Sequence, residues 1–434
     1  MKVPNTLLVI FTIATSLTVF AQPGAGIRLD EFTLLVPRLN VSANYDDNVN
    51  LRGRALDEEG NIPPNESDTY IEYLVSLELY RVLEGRSLSA SAYLGEYMYQ
   101  DYSELDSEKY GASLGYKWAS SSKKTKVDLS GSYQYAIDDV SSGVHGFTTA
   151  EQELEGFANV SDRVERDILT ISTSLDQKIG TDLGTVFSFG MYDTDYAEED
   201  FNDRTAFDYE AELNHQLSPK TQNFVRVGYG IDDDEGFAED SENPFILVGS
   251  RYTVTNKMTV NASVGYESYT ITPLDSQVVP DENGDPIITQ SAGEEQDDDG
   301  FKYRLSGIYK LNPKTTISLS ARNGYASQGT ENSRPKRENA LVLSLGHKTT
   351  DQFSQRVSVN WRDDDFLEAT LIDDVEFDET RETLRYTYSF TYNTPRPWLS
   401  FFGRAMYEDG TSNRSDGVGE YDQTELSLGA RLRY

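Results

Sequence analysis

The amino-acid sequence predicts an all-β protein, a transmembrane antiparallel up-and-down β-barrel of about 18 strands, with 16 as the alternative count. Three observations lead to this fold class. Apolar and polar residues alternate along most of the chain, the connections between the alternating segments are in turn short and long, and the one continuous apolar run lies at the N-terminus. Tight turns at one end and long loops at the other are typical of outer-membrane barrels.

Composition excludes several classes of protein. The chain has 434 residues and no cysteine, which excludes a disulfide scaffold, a thiolate metal site and an anchor through a lipidated cysteine. It carries 38 basic and 73 acidic residues, for a formal net charge of -35, so we expect no binding to nucleic acid. Aromatic residues make up 12% of the chain, which argues against disorder despite the high charge.

The first 21 residues have the pattern of a secretory signal peptide. One lysine, Lys2, precedes an apolar run that ends at Val19-Phe20-Ala21, with small residues at the positions that a signal peptidase reads. A membrane anchor is the alternative, but the run is only about 14 residues long, too short to span a bilayer. We therefore predict a signal peptide over 1–21, a periplasmic segment over 22–36 and the barrel over 37–434.

The alternation has a period of two residues. Over residues 71–79 and again over 384–392, apolar or aromatic side chains occupy every second position. Polar or charged side chains fill the positions between them, except at Leu74. Such a segment is a strand with one apolar and one polar face. The eighteen strands are predicted to start near residues 37, 68, 88, 108, 125, 165, 183, 204, 221, 243, 257, 301, 315, 336, 353, 380, 398 and 420.

The connections separate a membrane barrel from a soluble sandwich, whose strands also alternate. Short basic or neutral turns such as Glu84-Gly85-Arg86 and Ser218-Pro219-Lys220 alternate with longer acidic connections. A sandwich has no reason to sort the two kinds to opposite ends, whereas a barrel in the outer membrane does. The acidic runs are Asp57–Glu59, Asp232–Glu235, Glu294–Asp299 and Asp363–Asp365.

The last segment of the chain alternates to its end. Leu426, Leu428, Ala430, Leu432 and the terminal Tyr434 share one face of a predicted strand. A final strand with an aromatic last residue resembles the signal by which outer-membrane barrels are recognised, so we expect the barrel assembly machinery to bind it. An ordinary C-terminal strand of a soluble sheet is the alternative.

If the apolar positions face lipid, the charges between them face the lumen. The basic candidates for the pore lining are Arg304, Arg322, Arg356, Arg362, Arg385, Arg404, Arg431 and Arg433. The acidic candidates are Glu72, Glu78, Asp128, Asp208, Glu210 and Glu212. Two arrangements stay open: an acidic wall facing a basic wall, which would create a transverse field across the pore, or pairing of opposite charges on adjacent strands.

Two further features bear on the pore and on chemistry. The third long connection, 139–164, is a candidate for a loop that folds inward and narrows the pore, with a solvated surface loop as the alternative.

His215 and His347 fall on the lipid-facing phase and His145 falls in that loop, so none is expected to be catalytic. We expect no cofactor and no dedicated metal site, although the acidic loops could bind divalent cations weakly; Asp281–Asp285 comes nearest to a calcium loop but lacks its closing glutamate.

One short segment carries a family resemblance. Pro37-Arg38-Leu39-Asn40-Val41, followed by Tyr45-Asp46-Asp47-Asn48-Val49, resembles the start of the β-barrel porin families that are often encoded near exopolysaccharide genes. The resemblance covers the whole chain in layout but only this segment in sequence. It implies an outer-membrane pore or export channel and brings no catalytic residues.

The sequence therefore predicts a non-enzymatic outer-membrane channel for passive diffusion of small hydrophilic solutes. Two alternatives remain: a conduit that exports an anionic exopolysaccharide, and a structural or adhesive surface barrel with a closed lumen. The expected partners are outer-membrane lipid and lipopolysaccharide, the assembly machinery, and the solute or polysaccharide itself.

Overall fold

The computed structural model describes residues 26–48, 66–137, 165–196, 203–234, 240–272, 278–280, 286–288, 296–326, 336–367, 370–372, 375–413 and 420–434. The predictions for the signal peptide 1–21, for the 139–164 loop with His145, and for Asp281–Asp285 fall on residues outside these ranges.

Eighteen antiparallel strands form the main sheet. In chain order they are β1 Thr33–Asp46, β2 Asp68–Leu83, β3 Arg86–Tyr99, β4 Ser107–Ala119, β5 Thr125–Ile137, β6 Glu165–Lys178, β7 Leu183–Tyr196, β8 Arg204–Ser218 and β9 Thr221–Asp234. They continue as β10 Asp240–Thr255, β11 Met258–Thr272, β12 Gln296–Asn312, β13 Thr315–Ala326, β14 Lys336–Lys348, β15 Phe353–Phe366, β16 Thr380–Asn393, β17 Leu399–Ser412 and β18 Tyr421–Arg433.

The sheet closes on itself. Each strand pairs with the next in sequence, and β1 pairs both with β2 and with β18, in a register that runs from Arg38↔Arg433 to Asp46↔Glu425. Closure leaves no open sheet edge, which is what a barrel that spans a bilayer requires. The predicted fold class is confirmed, with 18 strands rather than 16.

A two-residue strand, Ile27–Arg28, lies outside the ring. It pairs with Leu34 and Leu35 of β1, at the part of that strand's edge that β18 does not reach. The first barrel strand begins at Thr33, inside the segment 22–36 that the sequence predicted as periplasmic. Beside it, the Phe32 amide donates to Asp30 Oδ1 at 2.8 Å, and this hydrogen bond lowers the pKa of the Asp30 carboxyl below its usual value.

Eight short turns lie at one end of the barrel, here called the short-turn end. They are residues 84–85, 120–124, 179–182, 219–220, 256–257, 313–314, 349–352 and 394–398. Four of them have only two residues, and in one of these, Glu84-Gly85, Gly85 has φ of +68°, a conformation that an L-residue with a side chain rarely adopts. The start of β1 and the end of β18 lie at this same end.

The nine connections at the opposite end, here called the long-loop end, vary more than the sequence predicted. Residues 47–67, 138–164 and 273–295 separate strands widely, whereas 100–106 and 235–239 are short. The difference arises because acidic residues predicted to be loop belong to strand ends. Asp363–Asp365 pair with Asn339, Glu338 and Arg337 of β14, and Asp297–Asp299 pair with Thr270, Tyr269 and Ser268 of β11.

Little other secondary structure is present in the described part of the chain. Two small hairpins, Val278–Pro280 with Pro286–Ile288 and Thr370–Ile372 with Val375–Phe377, belong to long-loop connections, and Ser103–Leu105 forms one 3₁₀ turn. Within the described residues, no helix is long and apolar enough to cross a membrane.

Candidate functional site

The two faces of the sheet differ in exposure and in chemistry. On β14 the leucines 341, 343 and 345 are 38–46% exposed, while Ala340, Val342 and Ser344 between them are at most 2% exposed. The inner face is identified by contacts that skip strands: Arg304 Nη1 of β12 lies 3.7 Å from Glu210 Oε1 of β8. Only side chains that project into the interior of a closed ring can meet in this way, so the leucine face points outward.

The strand register places all six acidic candidates on the inner face, and five of them form ion pairs. Glu72 pairs with Lys109, and Glu78 with Arg38 at 2.7 Å. The carboxylates farther along the chain pair as Asp128–Lys117 at 2.7 Å, Glu210–Arg226 at 3.3 Å, Glu212–Arg226 at 3.0 Å and Glu212–Arg251 at 2.6 Å. Asp208 has no ion-pair partner within 4 Å among the described residues.

The eight basic candidates also lie on the inner face, and most have an acidic partner there. The ion pairs are Arg304–Glu210 at 3.7 Å, Arg322–Glu338 at 2.7 Å, Arg362–Asp364 at 3.2 Å, Arg404–Glu425 at 3.9 Å, and Arg385–Glu408. Arg356 donates to Ser344 Oγ at 3.1 Å and Arg431 to Asn40 Oδ1 at 3.0 Å. Of these ion pairs, Arg322–Glu338, Arg385–Glu408 and Arg404–Glu425 join adjacent strands. Arg362–Asp364 lies within β15, and Arg304–Glu210 joins strands that are not adjacent.

A buried ion-pair network occupies the inner wall near the long-loop end of β14–β18. Lys336 Nζ lies 2.6 Å from Asp364 Oδ2, with both side chains 1% exposed, and Arg362 shares the same carboxylate. On β16 and β17, Arg385 pairs with Glu408, which also accepts a hydrogen bond from Tyr421 at 2.5 Å. Charges this deeply buried must stay paired, because an unpaired buried ion carries a large desolvation cost.

A wall of small polar side chains lies on the inner face of β3–β7, and we call it the serine wall. Ser91 and Ser113 share a hydrogen bond of 2.7 Å, and Ser130 and Ser172 one of 2.6 Å, both exposed to solvent. Side chains of this size do not fill the interior of an 18-strand ring, so this wall borders open space. Its members are Ser89, Ser91, Ser113, Ser130, Ser132, Ser172, Ser174 and Ser188.

The charge pattern of the sequence does not indicate the serine wall, because serine is uncharged. A usable signal was present: serine occupies every second position, in the polar phase, at residues 87–91, 130–132 and 172–174.

A recess of about 550 Å³ opens in the inner wall between the serine wall and the charged strands β8–β10. Glu212 is its most buried ionised group, and Arg226 and Arg251 hold its carboxylate. Arg251 also donates to Gln222 Oε1 at 3.0 Å and stacks over the Phe224 ring at 4.4 Å. The recess is thus lined by fixed charges and amides suited to polar solutes.

The inner-face charges are sorted along the barrel axis. We define the short-turn half as the seven residues of each barrel strand nearest the short-turn end. Its inner-face cations are Arg38, Lys117, Lys126, Lys178, Arg226, Arg251, Lys310, Lys348, Arg356, Arg404, Arg431 and Arg433. Its inner-face carboxylates are only Glu78, Asp128, Asp176 and Glu212. Nearer the long-loop end, carboxylates are at least as frequent as cations on the inner face.

The described histidines lie on the outer face of the sheet, away from the inner-face charges. His215 lies on the outer face near the short-turn end, and His347 lies on the same face, with Nδ1 2.9 Å from Thr315 Oγ1. Within the described ranges, no group of three or more histidines or carboxylates is placed to hold a metal ion.

Comparisons with known proteins bear on the family and the fold. The family model described as "Putative beta-barrel porin 2" matches residues 22–273. The OpdK structure of Pseudomonas aeruginosa with vanillate is 9% identical at a TM-score of 0.45, with 92% of this chain and 99% of that chain covered. OccAB4 of Acinetobacter baumannii is 10% identical at 0.46, with 94% and 100% covered.

The FrpB iron transporter of Neisseria meningitidis, in its F3-3 variant, is 10% identical at a TM-score of 0.45, with 94% of this chain and 82% of that chain covered. Similarities at this level carry no information on solute or mechanism. No curated protein matches the chain.

Proposed function

The chain belongs to this family of β-barrel porins, and from that premise we propose that it is an outer-membrane channel for passive diffusion of small hydrophilic solutes. The observation that carries the proposal is the solvent-exposed serine wall on the inner face of a closed ring of 18 strands. Small hydroxyl side chains offer hydrogen bonds to water and to polar solutes without blocking their path. Apolar solutes gain nothing from such a wall.

The outer face supports a location in lipid. Exposed leucine, valine and aromatic side chains cover it, including Leu114, Phe187 and Leu428, each more than half exposed. In this proposal the short-turn end lies in the periplasm, the long-loop end lies outside the cell beside lipopolysaccharide, and the signal peptide over 1–21 directs export. The assembly machinery would bind β18, and the acidic strand ends would hold divalent cations only weakly.

Conductance in planar lipid bilayers tests the channel. Protein that is first shown to be folded, by heat-modifiable migration on a gel, is expected to give discrete current steps at low voltage. Absence of current at every voltage, from protein that passes the folding check, would refute the proposal.

A closed structural or adhesive barrel is the second candidate, and the buried network of β14–β18 favours it. Lys336, Asp364 and Glu408 are almost without exposure, so these side chains at the long-loop end of β14–β17 offer no surface to solutes. Swelling of liposomes in solutions of neutral sugars separates the two candidates, because only an open lumen admits sugar.

The remaining alternatives have less support. An exporter of anionic polysaccharide would use a continuous arginine wall, whereas five of the eight candidate arginines are paired with carboxylates. We propose no enzymatic activity, since the family is one of porins and none of the described histidines lies on the inner face.

A further inference from the structure

Three arginines lie together on the inner face where the barrel closes, and we call them the mouth arginines: Arg38 of β1 and Arg431 and Arg433 of β18. Arg38 and Arg433 are direct partners in the strand register, and Arg431 lies opposite Asn40. Like charges directly opposite each other destabilise a sheet. A sheet that keeps such a pair at its closing seam needs something to offset the repulsion.

The protein itself offsets only part of this charge. Arg38 pairs with Glu78 at 2.7 Å, and Tyr80 donates to the same carboxylate at 2.8 Å. Arg431 has a neutral partner, Asn40, at 3.0 Å. Arg433 is exposed and has no ion-pair partner among the described residues. Three positive side chains therefore share one side-chain carboxylate, that of Glu78.

The other charged side chains of the short-turn half add to this excess of positive charge. Twelve cations and four carboxylates line the short-turn half of the inner wall, so the mouth arginines lie in the positive half of the lumen. At the long-loop end, by contrast, buried cations such as Lys336 and Arg385 each have a carboxylate. The excess of positive charge is therefore axial and lies in the short-turn half of the inner wall, which includes the mouth arginines.

We propose that the mouth arginines bind oxyanions, carboxylate or phosphate groups of passing solutes, and make the channel prefer anions. This inference rests on the proposed function. Guanidinium groups stay charged at any physiological pH and present paired donors that match the geometry of an oxyanion. A positive mouth also raises the local concentration of anions in the adjoining lumen.

Reversal potential in a potassium chloride gradient tests the preference. Wild-type protein is expected to pass chloride more readily than potassium. The double variant R431Q/R433Q removes two charges from the mouth and is expected to lower the chloride-to-potassium permeability ratio by about threefold at 0.1 M salt, since screened charges this close to a permeating ion act over roughly 10 Å. At 1 M salt the difference should shrink, because the screening length falls to about 3 Å.

The double variant R81Q/R86Q is the matched control. Arg81 of β2 and Arg86 of β3 lie at the same short-turn end but on the outer face, and both are exposed. The control removes the same formal charge at the same level of the barrel and should leave the permeability ratio unchanged. An equal shift in both double variants, or a wild-type channel without anion preference, would overturn the inference.

A binding measurement tests anion binding independently of conductance. Fluorescence anisotropy of a pyrene trisulfonate dye, titrated with folded protein in detergent, reports anion binding whether or not the lumen conducts. We expect R431Q/R433Q to weaken binding about tenfold relative to R81Q/R86Q, since two charge-assisted contacts are lost. Equal binding by the two variants overturns the inference, whereas normal binding by wild type without any current overturns the proposed function alone.

Discussion

Replacement of Asp364 by asparagine is expected to lower the free energy of unfolding of the barrel by about 3–5 kcal/mol. The substitution keeps the size of the side chain but removes the negative charge that Lys336 and Arg362 share. Those two cations are almost completely buried, so each would lose the counter-charge of Asp364 in a region closed to water. The cost is the desolvation of two like charges rather than the loss of one hydrogen bond.

Asp128→Asn is the control for this prediction. Asp128 pairs with Lys117 on the same inner face, but the two side chains are 43% and 70% exposed, so solvent screens the pair. Its loss should cost less than about 1 kcal/mol. The folded fraction in lipid vesicles, followed by heat-modifiable gel migration against urea concentration, measures both variants. Similar urea midpoints for D364N and D128N would show that the network at β14–β18 is not buried in the membrane-embedded protein.

Leu114→Arg is expected to destabilise the barrel by about 2–4 kcal/mol, because it places a charge at mid-height on the lipid-facing side of β4. Leu114 is 57% exposed and lies on the outer face, opposite Ala90 of β3. The neighbouring variant Ser113→Arg introduces the same side chain one residue away, on the serine wall. Water can solvate it there, so its stability should stay close to that of wild type.

The same urea titration in vesicles measures this pair. A large loss for L114R with a small one for S113R is the expected result. Equal losses for the two variants, or a larger loss for S113R, would mean that the faces of β4 are assigned the wrong way round.

The period-two alternation of the sequence predicted most of the strand layout. Strands β2, β5–β9 and β13–β16 begin where the pattern starts, and the phase of the alternation put all fourteen candidate charges on one face. Both follow from local geometry, since successive side chains of a strand point to opposite faces. No long-range information is needed to read them.

The strand ends near the long loops were harder to predict. β12 begins at Gln296 rather than near 301, because Asp297–Asp299 looks like a loop by composition although its backbone continues the ladder with β11. Asp363–Asp365 show the same effect on β15. Charged residues are compatible with a strand wherever it extends beyond lipid, and composition alone does not show where that is.

The sequence did not predict which inner-face charges pair with each other. Glu210 meets Arg304 across three intervening strands, and Glu212 meets Arg251 across one. Such contacts depend on the stagger of the closed sheet, which sets the heights of residues far apart in sequence. The axial sorting of charge, in contrast, could have been found by counting inner-phase residues outward from each short turn.

The formal charge of -35 is therefore a poor guide to what the lumen attracts. The short-turn half of the inner wall is strongly basic, whereas acidic runs such as Asp297–Asp299 and Asp363–Asp365 lie at the opposite end. An anion that approaches from the short-turn side meets positive charge, although the molecule as a whole is negatively charged. This local positive charge is the physical basis for the selectivity proposed above.

The most direct test of an open, water-filled passage along the serine wall uses the absence of cysteine from the chain. In the variant S130C, a small anionic thiosulfonate reagent added to a planar bilayer should react with the new thiol and cut the current of an open channel. The control L129C carries its thiol on the adjacent outward position, which is lipid-facing, and its current should not change. Block in S130C alone is the result that this structure predicts. Block in L129C alone, or a reagent that changes neither current, would contradict it.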